Sequence, residues 1–197
     1  MSAAFYVSQS TDPARPGSRA SGYFWTGERR PSPGGGGLSH RLAAGESVSV
    51  NGVALSGEPA DWGYLYQGEL PAPSDGRWLF RFVIAGQTIT RTLTLMPVNW
   101  VDFPVTPVSI GAGVVLRWAP ALPESSTRRA TLTSCVISEV TELETASVRF
   151  VGRVTASPCE SHAQLSATVS EPLGFPFREG STLSASTGLD STLRVIP

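Results

Sequence analysis

The chain has 197 residues, a formal net charge of −1 and 41% hydrophobic residues, and only 16% of its residues are charged. This composition provides enough apolar surface for packed cores and lacks the basic excess expected of a nucleic-acid binder. All 15 basic residues are arginine. Because lysine is missing, Walker A phosphate binding, Schiff-base chemistry and Ser-Lys hydrolysis are excluded.

The N-terminal stretch "MSAAFYVSQSTDPARPGS" lacks the basic start, apolar middle and small-residue cleavage site of a secretory signal. The chain is therefore either cytosolic or the mature part of an exported protein, and its composition favours export. We expect an extracytoplasmic location (periplasmic, cell-surface or secreted), directed by an export signal absent from this chain. No run of about 18 apolar residues occurs, which predicts no transmembrane helix.

The first hundred residues alternate between apolar and polar side chains, which predicts β-strands. Strands are expected at "AAFYVSQ", "SGYFW" and "DWGYLYQGEL". In "ESVSVNGVALSG", Asn51 and Gly52 supply the positive φ angles that a type I′ hairpin turn requires. A second hairpin is predicted for "RWLFRFVIAGQTITRTLTL". Its core face comprises Trp78, Phe80, Phe82, Ile84, Ile89, Leu93 and Leu95, with Arg81 and Thr90 on the opposite face.

Pro97, Pro104 and Pro107 remove backbone donors within a short segment and discourage a central strand there. We place a domain boundary at this segment, which predicts an N-terminal domain of residues 1–100 and a C-terminal domain of residues 101–197. Strands beyond it are expected at "GVVLRWAP", "SVRFVGRV", "AQLSATVSE" and "STLRVIP". The pattern predicts an all-β protein of two tandem antiparallel β-sandwiches.

The run "GVVLRWAP" resembles the early core strand of fibronectin type III and immunoglobulin-like modules, in which alternating apolar residues lead to a buried tryptophan such as Trp118. The segments "TRTLTLMP" and "LDSTLRVIP" resemble the last strands of such modules. More broadly, the chain is similar to uncharacterised exported lipoprotein-like proteins of GC-rich bacteria. The resemblance implies immunoglobulin-like or fibronectin III-like β-sandwiches.

Two cysteines, Cys135 and Cys159, lie too far apart for a CxxC redox motif, and the chain lacks the close ligand pairs of a structural zinc site. A disulfide is the favoured interpretation, and two free thiols are the main alternative. A cysteine nucleophile with His40 or His162 as base has no supporting signature. We interpret both histidines as surface residues, His40 after the glycine-rich connection "PSPGGGGLS" and His162 in a loop.

The acidic cluster of Glu139, Glu142 and Glu144 lacks the spacing of a dedicated calcium loop. We expect a solvated loop or one helical turn, with Val140 and Leu143 facing inward. Paired carboxylates for glycosidase chemistry cannot be chosen from the sequence. No metal site and no cofactor are therefore predicted.

Trp62, Tyr64 and Tyr66 share parity in "DWGYLYQGEL" and would form one aromatic stripe along an extended strand. Buried, the stripe is part of the core, which is the favoured interpretation. Exposed, it would form a ligand-binding surface for sugar rings or for a protein partner.

The sequence predicts a non-catalytic, extracytoplasmic structural, adhesion or assembly module. The alternative is a carbohydrate-binding module that uses the aromatic stripe. Partners are expected to be proteins or glycans at a cell surface, with self-association through edge strands as a further possibility. No constellation of residues indicates an enzyme.

Overall fold

The computed structural model describes residues 1–10, 17–32, 37–155 and 159–197. Every regular element in these ranges is a β-strand, so the prediction of an all-β protein is confirmed. Within these ranges there is no helix long and apolar enough to cross a membrane. Residues 33–36 of the glycine-rich connection before His40 lie outside the described residues.

The described residues contain seventeen strands, numbered here in chain order. They are β1 Ser2–Ser10, β2 Gly17–Trp25, β3 Ser39–His40, β4 Ser47–Val50, β5 Val53–Ala54, β6 Ser56–Ala60, β7 Gly63–Leu70, β8 Arg77–Ile84, β9 Gln87–Thr94, β10 Asn99–Val101, β11 Val108–Ser109, β12 Val114–Ala119, β13 Thr127–Ser134, β14 Val136–Leu143, β15 Ser147–Val154, β16 Cys159–Pro172 and β17 Thr182–Ile196. The residue contacts group them into two compact units.

Unit 1 contains residues 1–9, 17–95 and 169–186. One of its sheets has the strand order β16-β17-β1-β2-β7-β6, with β3 beside β2, and the other has the order β5-β4-β8-β9. Rings from the two sheets meet in the core: Phe82 of β8 lies 5.3 Å from Phe5 of β1 and 6.3 Å from Phe24 of β2, measured between centroids. Alternation along β1, β2 and β8 therefore directs one face of each sheet into a shared apolar core.

Both hairpins predicted for unit 1 are present. Asn51 and Gly52 have φ angles of 48° and 81°, as a type I′ turn requires, and they join β4 to β5. In the second hairpin, β8 pairs with β9 along its whole length, and Trp78, Phe80 and Phe82 are buried. Ile84, at the end of β8, is only half-buried.

Unit 2 contains residues 96–168 and 187–197, together with residues 10–16, of which only Ser10 is described. One sheet has the order β10-β12-β15-β14, and β13, β16 and β17 belong to the other. Trp118 is buried on β12, as predicted, and its indole nitrogen donates a hydrogen bond to the Thr145 carbonyl oxygen at 2.9 Å. The pairs β10–β12, β12–β15, β14–β15 and β13–β16 are antiparallel, and β11 runs parallel to β17.

Each unit is built from separate stretches of the sequence. The predicted domains, residues 1–100 and 101–197, are each one continuous stretch. The long strands β16 and β17, of 14 and 15 residues, contribute residues to both units. Residues 169–186 thus complete the unit that contains most of the N-terminal half. The spacing of prolines predicts where strand pairing is interrupted. It contains no information on whether a later segment, here residues 169–186, packs into the earlier unit.

The prediction of a loop or helical turn at the acidic cluster is wrong for Glu139 and Glu142 and correct for Glu144, which lies in the loop after the strand. Residues Val136–Leu143 form strand β14, with a bulge between Val140 and Glu142, and Val140 is exposed. Glu142 lies opposite Arg149 of β15. Cross-strand pairing of opposite charges favours this strand, although glutamate has a low intrinsic preference for sheets.

Candidate functional site

The three residues of the predicted aromatic stripe have different surroundings. Tyr66 is buried, with its ring edge-on to Phe24 at 5.6 Å, and its hydroxyl accepts a hydrogen bond from a backbone amide. Tyr64 is half-buried, and the guanidinium of Arg41 lies over its ring. Trp62 is half-buried in the turn before β7. Only Trp62 and Tyr64 therefore offer surface to a ligand.

Ser39 of β3 holds the backbone of Trp62 and Tyr64. Its amide donates to the Trp62 carbonyl oxygen at 2.8 Å, and its hydroxyl donates to the Tyr64 carbonyl oxygen at 2.8 Å. The Tyr64 amide donates in turn to the Ser39 hydroxyl oxygen. Gly63, with a φ of 119°, lies so close that an added Cβ would overlap the Ser39 carbonyl oxygen. Glycine is required here by both backbone conformation and close approach.

A shallow groove of about 250 Å³ lies on the outer face of the larger sheet of unit 1. We call it the Tyr6–Tyr23 groove. Both tyrosines alternate with buried core residues, Phe5 and Phe24, so their side chains point away from the core. The residues around the groove are Ala4, Phe5, Tyr6, Ser21, Gly22, Tyr23, Arg30, Leu65, Thr182 and Ser184. It combines two aromatic walls with hydroxyl groups and one cation.

Tyr23 is held by its neighbours on several sides. The Arg30 Nε donates a hydrogen bond to the Tyr23 hydroxyl at 2.7 Å, and the guanidinium lies 5.7 Å from the ring centroid. The indole of Trp62 meets the same ring edge-on at 5.1 Å, and Trp25 lies at 5.7 Å. The Tyr6 hydroxyl is hydrogen-bonded to the Ser186 hydroxyl. The two tyrosine walls are thus fixed before any ligand arrives.

Sequence reasoning identified Trp62 but missed Tyr6, Tyr23 and Arg30. The alternation in "AAFYVSQ" and "SGYFW" could have identified the two tyrosines. Neighbouring residues of a strand point to opposite faces, so a buried Phe5 places Tyr6 on the outer face and a buried Phe24 places Tyr23 there. Which strands lie side by side is not contained in that pattern. The pairing of β2 with β7 brings Tyr23 and Trp62 to one surface.

A second hollow, of about 560 Å³, lies beside Tyr64 and is bordered by the connection of residues 41–46. Arg41 covers one face of the Tyr64 ring there. The hydroxyl of Tyr66 is engaged by the amide of Leu42. This hollow therefore has less free aromatic surface than the Tyr6–Tyr23 groove.

The two histidines are both exposed and lie in strands, so the predicted loop position of His162 is wrong. His40 Nε2 lies 2.7 Å from the Thr26 hydroxyl. For His162, Nδ1 is the nitrogen nearest both the Thr192 hydroxyl, at 3.4 Å, and an Asp190 carboxylate oxygen, at 4.0 Å. A catalytic triad needs the acid and the hydroxyl on different ring nitrogens. The His162 arrangement does not provide such a relay.

Cys135 and Cys159 form a disulfide, which confirms the favoured interpretation of the two cysteines. Cys159 is buried and Cys135 is half-buried at the end of the β13–β14 connection. The bond leaves neither sulfur free as a thiolate nucleophile. Among the residues that the structure describes, no group of three or more histidine, cysteine or acidic side chains lies close enough together to hold a metal ion.

Comparison with known proteins adds no assignment for this arrangement. No family model matches the chain, and no curated protein matches it in sequence.

Proposed function

We propose that the chain is a non-catalytic, extracytoplasmic module with a structural, adhesive or assembly role. The observation that carries this proposal is the Cys135–Cys159 disulfide, because such bonds persist mainly in oxidising compartments. The absence of lysine-dependent motifs and the engagement of both cysteines support the non-catalytic part.

Alkylation of protein taken directly from its native source, followed by mass spectrometry, tests the compartment. The expected result is that Cys135 and Cys159 remain linked and unalkylated without reductant. Alkylation of both cysteines in freshly isolated protein would contradict an oxidising location. Fractionation of the native cells, with a cytosolic enzyme as marker, provides the independent control.

Each unit is proposed to be an immunoglobulin-like or fibronectin III-like β-sandwich. The contacts of Phe82 with Phe5 and Phe24 support facing sheets in unit 1, and buried Trp118 on β12 supports the likeness in unit 2. An experimental structure tests this proposal through the strand order. Sheets that do not face each other across an apolar core would contradict it.

Self-association through edge strands remains part of the proposal. Strand β14 lies at the edge of its sheet, and Ile137 is exposed on it. The bulge before Glu142 and the acidic residues near it discourage strand addition at the C-terminal end of β14, so the proposed contact uses the N-terminal end, where Ile137 lies. Sedimentation velocity over a concentration series measures the outcome, and a single monomeric species throughout would contradict self-association.

A carbohydrate-binding module is the second candidate, and the Tyr6–Tyr23 groove favours it. Tyrosine rings supply apolar surface for sugar C–H groups, and the hydroxyls of Ser21, Thr182 and Ser184 supply donors and acceptors. The Trp62 ring supports Tyr23 and adds aromatic surface beside it.

A glycan array probed with the wild type and with Tyr23→Ala and Trp62→Ala variants tests this candidate. Binding should be lost in Tyr23→Ala and weakened in Trp62→Ala. The control is Leu79→Ala, which removes an exposed apolar side chain from the outer face of β8. Equal binding by all four proteins would exclude the groove as the sugar site.

A further inference from the structure

We propose that the Tyr6–Tyr23 groove binds an acidic sugar, whose carboxylate pairs with Arg30 while its ring lies against the tyrosines. This inference rests on the proposed carbohydrate-binding role and specifies the ligand class for it. Three features of the groove carry the argument: an uncompensated cation, the orientation of its guanidinium, and the size of the cavity.

The charge of Arg30 is not balanced within the described part of the chain. Two exposed arginines of this protein do have carboxylate neighbours: Arg19 Nε lies 3.9 Å from Glu69, and Arg194 Nε lies 3.6 Å from Glu160. Arg30 has no such ion pair among the described residues, and the residues around the groove include no aspartate or glutamate. The groove thus carries one net positive charge, which an anionic ligand would neutralise.

The orientation of Arg30 suits a carboxylate. Its Nε is occupied by the Tyr23 hydroxyl, and the cation–π contact with the same ring holds the guanidinium beside the groove. The two terminal nitrogens remain for an end-on, bidentate pair of hydrogen bonds, whose planar fork matches the two oxygens of a carboxylate. A neutral sugar would leave that fork in water and gain little from it.

The cavity volume sets the size of the ligand. At about 250 Å³, the groove is smaller than the pockets of about 300 to 1,000 Å³ that enclose drug-sized ligands. It therefore suits one sugar unit rather than several. The hydroxyls of Ser21, Thr182 and Ser184 lie where they can exchange hydrogen bonds with sugar hydroxyls. An apolar anion would leave these groups without partners.

The test uses a panel of immobilised uronic-acid, sialylated, sulfated and neutral oligosaccharides, probed with the full chain. The variants are Arg30→Gln, which removes the charge, and Arg30→Lys, which retains the charge without the fork. Arg81→Gln, on the exposed face of β8, is the matched control. Urea unfolding of each variant verifies that stability is unchanged, as expected for the exposed side chain of Arg30.

The wild type should prefer carboxylate-bearing glycans. Arg30→Gln should weaken that binding about tenfold, the loss expected for a charge-assisted hydrogen-bonded pair, and Arg30→Lys should restore only part of it. Arg81→Gln should bind like the wild type. Preference for neutral glycans that Arg30→Gln does not change would overturn the acidic-sugar inference and leave the carbohydrate role standing. Binding to sulfated glycans only would overturn the carboxylate assignment, and no binding to any glycan would contradict both proposals.

Discussion

Phe177 meets Phe82 edge-on, with 5.2 Å between their ring centroids, although they belong to opposite halves of the chain. Phe82 lies at the centre of the unit 1 core, where it also contacts Phe5 and Phe24. Residues 169–186 are also hydrogen-bonded to the N-terminal segment, since the Ser181 hydroxyl accepts a hydrogen bond from the Ala3 amide. The returning segment is thus an integral part of unit 1.

Phe177→Ala should lower the free energy of unfolding by about 3 kcal/mol, because it removes a buried ring and leaves a cavity. Phe175→Ala is the matched control, since the Phe175 side chain is 88% exposed. Its replacement should change the unfolding free energy by less than about 0.5 kcal/mol. Urea unfolding followed by tryptophan fluorescence measures both, and equal effects would show that the Phe82–Phe177 contact contributes no stability.

A fragment of residues 1–100 distinguishes a contiguous first domain from the interrupted unit 1. The contiguous division predicts a fragment that unfolds cooperatively. The contacts of residues 169–186 predict the opposite, because without them Phe82 loses the Phe177 ring that packs against it. Differential scanning calorimetry of the fragment should show no cooperative transition, and a transition resembling that of the full chain would support the contiguous division.

Replacing both cysteines with serine should lower the free energy of unfolding by about 3 kcal/mol, as the chain-entropy model gives for a loop of this length. In a chain of this size the melting temperature should fall by about 6 to 12 °C. The far-UV circular dichroism spectrum should keep its β signature. Reductant provides the control: it should lower the melting temperature of the wild type and leave the Cys135→Ser/Cys159→Ser variant unchanged.

Gly63→Ala should destabilise the chain more than Gly52→Ala, although both glycines have positive φ angles. At Gly52 an added Cβ meets nothing within 4 Å, so only backbone strain of about 1 kcal/mol is expected. At Gly63 the new methyl group overlaps the Ser39 carbonyl oxygen and displaces β3 as well. Chemical unfolding compares the two variants, and equal losses would contradict the close approach of Ser39 to Gly63.

Ser39→Ala should cost about 1 to 3 kcal/mol, because the Tyr64 amide loses its acceptor in a part-buried position. Ser56→Ala, at an exposed position of β6, should be nearly neutral. Because Ser39 holds the Trp62 backbone, tryptophan fluorescence of the folded variant should also shift. An unchanged spectrum and unchanged stability would show that Ser39 does not position Trp62 and Tyr64.

Local patterning predicted the parts of this fold that depend on neighbouring residues. Strict alternation placed Trp78, Phe80 and Phe82 in the core, and Asn51-Gly52 marked its turn correctly, since side-chain parity and positive φ are local properties. The same reasoning failed at Glu139 and Glu142, where pairing with β15 outweighs a low strand propensity. The spacing of the two cysteines argued against a CxxC motif and a zinc site, and it favoured, without requiring, the disulfide that the structure contains.

The tertiary structure decided which surfaces those strands share. The sequences "SGYFW" and "DWGYLYQGEL" do not indicate that β2 and β7 are neighbours in the sheet. The contact between Tyr23 and Trp62 could therefore be found only from the strand order of the folded protein. The return of Phe177 to Phe82 and the placement of Arg30 over Tyr23 have the same origin. Alternation along a strand determines which of its side chains point into the core. Packing between segments that are distant in sequence determines which residues those side chains contact.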